Sequence, residues 1–197
     1  ESVEVGSYPL AYDGTWHHFL GVYALDHAEF WVDGQQVASE QHNLGALTHL
    51  PLTDLYIGAG LPVTLQNEYF RGRIDEVRIW NYARTPAEIA ASWFTGVSAP
   101  APGLVASWSF DEGQGQVTCD ASGLGHEGVL GASTAAEASD PRWVVSDLPL
   151  GAGTPAGYGL SFDGADDFAR VPRAASLEPL LLTVEVWARL DAVQTVN

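Results

Sequence analysis

Residues 71–89 read RGRIDEVRIWNYARTPAEI, and the reading of this stretch decides the fold. Its first half is a strand pattern. Strict alternation puts Asp75, Val77 and Ile79 on one face and Ile74, Glu76, Arg78 and Trp80 on the other. Its second half is a helix start: Thr85 caps, Pro86 suits the first helical position, and Glu88 completes a capping box. Gly96 is the expected stop, so one short helix is predicted near 86–93.

Outward from this stretch, the period of two persists. TWHHFLGVYAL (15–25) is a half-buried strand. AEFWVDGQQVAS (28–39) is a hairpin turning on Asp33-Gly34, with Ala28, Phe30 and Val32 on one face. TDLYIGAG (53–60), GLVASWSF (103–110) and LTVEVWARL (182–190) are further strands. The last has Leu182, Val184, Val186 and Ala188 on one face. The small, uncharged, proline-containing segment GVSAPAPG (96–103) reads as a linker between residues 1–95 and 104–197. The expected class is all-β.

Charge narrows the partners. The chain has 197 residues, 46% hydrophobic, with 21 glycines and 11 prolines, and its net charge is −17. A surface this acidic disfavours nucleic acid, which needs a basic face, and anionic lipid for the same reason. No apolar run reaches the ~18 residues of a membrane helix. The single cysteine, Cys119, excludes an internal disulfide, and its flank QVTC reads as buried.

The surplus carboxylates are the candidate chemistry. Asp75 shares a face with apolar residues, so it is expected to point inward, where a carboxylate must be paired or hold a cation. Arg71 and Arg73 lie on its face and could pair it. Asp120, among the glycines of DASGLGHEG (120–128), fits either an Asx-turn or an oxygen-ligated cation. Asp163, Asp166 and Asp167 share the loop FDGADD, and Asp111 and Glu112 add to the set. Asp75 and Glu76 cannot act together as glycosidase acid and nucleophile, because adjacent strand residues face opposite ways. No Gly-x-Ser-x-Gly elbow occurs, so nucleophilic catalysis is not expected. His17 and His18 read as packing residues. His126 is a poor ligand for a hard cation and belongs outside a first coordination shell. Trp31 lies off the Phe30 face and is the best candidate for an exposed sugar platform.

Several blocks carry a family resemblance. SWSFDEGQGQ, DASGLGHEG, LSFDGADDFARVP and LTVEVWARL resemble the first half of a laminin G-like domain of the concanavalin A-like lectin/glucanase superfamily. DGTWHHFLGVY, AEFWVDGQQVAS, LYIGAG and FRGRIDEVRIWNYARTPAEI resemble its second half. The resemblance implies a jelly-roll β-sandwich of two antiparallel sheets. It also implies structural calcium, which tips Asp75, Asp111, Asp120, Asp163 and Asp167 towards a metal role.

The order is inverted: the family's second half precedes its first. A tandem array cut across two repeats, a permuted single domain, and halves exchanged head-to-tail between chains all fit. A closed monomer would be short of about two strands, because DAVQTVN and ESVEVGS supply too little. The expectation is therefore half-domains completed between neighbouring repeats or copies of a surface protein. Its role would be that of a non-enzymatic, secreted, extracellular structural or adhesive module. The alternative is a glycan-binding module of a secreted glycan-processing enzyme.

Overall fold

The computed structural model describes residues 13–41, 45, 47, 53–60, 68–95, 97–151 and 157–191. The segment ESVEVGS and the helix stop at Gly96 lie outside them. The strands are β1 (His17–Tyr23), β2 (His27–Val32), β3 (Gln35–Gln41), β4 (Leu55–Ile57), β5 (Arg71–Trp80), β6 (Leu104–Trp108), β7 (Val117–Thr118), β8 (Gly128–Leu130), β9 (Arg142–Val145), β10 (Tyr158–Asp163), β11 (Ala169–Val171) and β12 (Leu182–Leu190). They form two antiparallel sheets, as expected of the sandwich. The larger runs β3-β2-β1-β12-β5-β10-β9, with β6 also on β5, and the smaller runs β4-β11-β8-β7.

The two halves meet inside this chain. β12 lies between β1 and β5, pairing Phe19 with Val186 on one side and Val184 with Ile79 on the other. The opposite edge of β5 receives β10 and β6. In the smaller sheet β4 pairs with β11. Residues 97–103 return the chain from the helix to β6, where Leu104 pairs with Trp80 and the Asn81 N–H donates to the Gly103 carbonyl. Each half thus supplies the partner edges that the other lacks.

The core between the sheets is apolar. Ile57, Ile74, Val77, Ile79, Trp108, Phe110, Leu130, Leu160, Phe162 and Val171 form it, with Leu182, Val184 and Val186 packed against it. β12 alternates as read. β5 does not. Glu76 has a left-handed backbone (φ 51°), and the β12 register shifts opposite it, between Glu185 and Trp187. This bulge resets the alternation. Ile74 joins Val77 and Ile79 in the core, and Asp75 loses the face that strict alternation assigned to it.

The helix, α1 (Pro86–Ser92), follows the predicted box: the Glu88 N–H donates to Thr85 Oγ1, and the Thr85 N–H to Glu88 Oε2. It covers the other face of the large sheet, where Ile89 packs among Leu20, Val22 and Trp31. Just past it, Trp93 stacks on Trp187 and fills the space a side chain at Gly34 would need.

Candidate functional site

The predicted carboxylates separate into three places. The first is the tight turn between β10 and β11. One oxygen from each of Asp163, Asp166 and Asp167 lies within 4.8 Å of the others. The turn is closed by the Ala165 N–H donating to Asp163 Oδ1 and the Asp163 N–H donating to Asp167 Oδ2, each at 2.7 Å. Gly164 takes φ 80° here, and a side chain on it would strike Arg71. Asp167 is buried while Asp163 and Asp166 are exposed. Burial, aided by those two like charges, pushes the Asp167 carboxyl up to about 6 against the Asp163 N–H and the Arg142 charge. Three hard oxygen donors crowded in this way fit a divalent cation such as calcium.

The second place is the β5 bulge. Asp75 is 3% exposed. Ser146 Oγ donates to its Oδ2 at 2.5 Å, and the Glu76 N–H to its Oδ1 at 2.8 Å. Burial, with Glu76 and Asp111 nearby, pushes this carboxyl up to about 8. No described ion pair joins it to Arg71 or Arg73; Arg73 faces Asp147 instead. Asp111 accepts the Tyr158 N–H. Asp75 and Asp111 are electrostatic neighbours and stand apart from the 163–167 turn.

The third place holds Asp120, which the structure keeps apart from the other predicted ligands. Its Oδ1 accepts the N–H groups of Ser107 and Ser122. Its Oδ2 accepts the His126 N–H and Ser122 Oγ, and faces His126 Nδ1 at 3.0 Å. Burial works to raise this carboxyl, and the donors overcome it, holding it below the usual range. Five donors already point at the two oxygens, so this loop is organised as an anion site, with protein hydrogens where a cation would sit. The other ring nitrogen, His126 Nε2, lies 2.7 Å from Ser176 Oγ.

Two further residues differ from expectation. Trp31 is 7% exposed beneath α1 and offers no open platform. The β2–β3 register shift between Phe30 and Trp31, together with the covering helix, encloses the face that alternation left open. Cys119 is exposed rather than buried. Glu112 accepts its N–H, and Asp120, the next residue, turns into the loop.

A fourth polar cluster has no counterpart among the predicted sites. Under α1, Glu185 is fully buried, accepts Trp80 Nε1 at 2.7 Å and contacts His18 Nε2 (3.2 Å), Arg84 Nη1 (3.3 Å) and Arg78 Nη1 (3.6 Å). Burial works to raise it; the His18 hydrogen bond and the two guanidinium charges win and hold it at about 2. Arg84 also lies over the Trp80 ring and donates to the Glu88 carbonyl, which ties α1 to β12.

Residues 2–90 match the profile of the family described as the Concanavalin A-like lectin/glucanases superfamily. Pappalysin-1 of Mus musculus is 30% identical over 99 residues, which is 50% of this chain and 6% of that protein. No solved structure matches. The matched stretch supplies β1, β2, β3, β4 and β5, and residues 104–190 close both sheets around it. Residues 2–90 are thus similar to the concanavalin A-like lectin/glucanase superfamily, and the two antiparallel sheets are the architecture that this similarity implies.

Proposed function

We propose that this chain is an extracellular binding module, structural or adhesive in role, stabilised by calcium at the β10–β11 turn. The observation that carries the proposal is the convergence of Asp163, Asp166 and Asp167 around a carboxyl raised by burial and, after it, by its like-charged neighbours. A divalent cation there would neutralise that repulsion and brace the turn. The superfamily's binding modules are typically extracellular, and the acidic surface agrees with such a setting. The carbohydrate-binding reading loses its surface tryptophan, because Trp31 is enclosed.

The test is a calcium titration followed by thermal melting and calorimetry, with Asp167→Asn as control. At ~100-fold excess over the dissociation constant, calcium adds about 2.7 kcal/mol. That is a rise of about 5–10 °C in the melting temperature for a chain of this size. The Asn variant should lose the rise. An unchanged melting temperature with calcium or chelator would overturn the reading. Assembly with other copies is a second reading that requires β12 to leave the two strands it pairs with inside this chain. A second copy could supply the same pairings by exchange. The same calcium series run on a sizing column separates a self-contained monomer from an exchanged dimer or chain.

A further inference from the structure

Asp120, His126 and Ser176 form a line that nothing above uses. Asp120 and His126 are 8% and 6% exposed, while Ser176, in the 3-10 turn Ala175–Leu177, is exposed. The proton positions follow from chemistry. Asp120 is held ionised and only accepts, so His126 Nδ1 must carry its hydrogen towards it. Nε2 is then the lone-pair nitrogen, and Ser176 Oγ, 2.7 Å away, donates its proton to it. The ring is fixed as well: the His126 N–H donates to Asp120, and the His126 carbonyl accepts Trp108 Nε1 at 2.8 Å. These are the roles of nucleophile, base and orienting carboxylate that define a serine acyl-transfer site on any fold.

Ser176 is exposed, so its hydroxyl can be reached from solvent while the base behind it is buried. The backbone N–H of Ser176 makes no hydrogen bond among the described residues, so it is available to a developing oxyanion.

We propose that Ser176, with His126 as general base and Asp120 as its orienting partner, is a nucleophilic site that cleaves carboxylic esters. Ser176 Oγ bonds to the ester carbonyl carbon as its proton passes to His126 Nε2. The carbon–oxygen bond to the alcohol breaks, and the departing oxygen takes that proton. Water then repeats the two steps on the acyl-serine, releasing the carboxylic acid and restoring Ser176. The site lies on the 120–126 loop and the 175–177 turn, and does not depend on calcium at the β10–β11 turn.

The test uses diisopropyl fluorophosphate with peptide mass spectrometry, and p-nitrophenyl acetate hydrolysis. Ser176 should be phosphorylated roughly 100-fold faster than other exposed serines, the usual gain from a positioned base. Ser176→Ala should abolish both the adduct and turnover. His126→Gln, shown folded by circular dichroism, should bring the labelling rate down to that of the other serines. Labelling of Ser176 no faster than of other serines, or unchanged by His126→Gln, would overturn the proposal and leave the His126–Ser176 contact a structural tie.

Discussion

Glu185 and Asp75 sit on neighbouring strands of one sheet, both nearly sealed from water at 0% and 3% exposure. Glu185 lies at about 2 and Asp75 at about 8. Burial alone would raise both. The difference is the company each keeps. His18, Arg78, Arg84 and Trp80 aim charge and hydrogens at Glu185. Asp75 has one hydroxyl and one backbone N–H, with Glu76 and Asp111 close by. The first region spends a buried charge on fixing the helix to the sheet. The second holds a carboxyl that favours its proton.

The largest expected effect comes from removing the first partner. Glu185→Ala leaves Arg78 and Arg84 buried without their shared carboxylate, and should cost about 3–5 kcal/mol in urea unfolding. A loss under about 1 kcal/mol would mean that the cluster does not pin the helix. Next is the pH dependence. Between about pH 4 and 8 the unfolded chain releases the Asp75 proton that the folded chain keeps, so stability falls as pH rises. Glu185 has the opposite sign: its contribution is present above the ordinary range near 4.5 and is lost as pH falls towards 2. Asp75→Asn should flatten the decline from pH 5 to 8, which cannot exceed roughly 1.4 kcal/mol per unit from one group. A slope unchanged in that variant would end the contrast. The smallest effect is Thr85→Ala, which removes the cap from α1 and should cost about 1 kcal/mol. It should leave the alkaline slope alone, because α1 covers Glu185 and not Asp75.

What could be read in advance was local. The capping box lies within four residues, the alternation of β12 within nine, and the crowding of Asp163, Asp166 and Asp167 within five. What could not be read depends on distant partners or on one backbone angle. Nothing about a glutamate announces the left-handed turn at Glu76 that takes Asp75 off the core face. Trp31 is enclosed by a helix more than fifty residues later in the chain. Ser176 stands 50 residues from His126 with no motif linking them. Asp120 looked like a cation ligand because its glycines build a loop. The hydrogens converging on its carboxylate come partly from Ser107, on another strand.

The position of β12 has a consequence for biosynthesis. Its two sheet neighbours, β1 and β5, leave the ribosome first, and β12 follows β5 after about 100 residues. At ~5–20 residues per second, the nascent chain waits roughly 5–20 s with both strand edges open. Chaperone demand on this polypeptide should therefore be set by the delay before a single late strand arrives, and crowded polysomes are where mispairing between neighbouring nascent chains would begin.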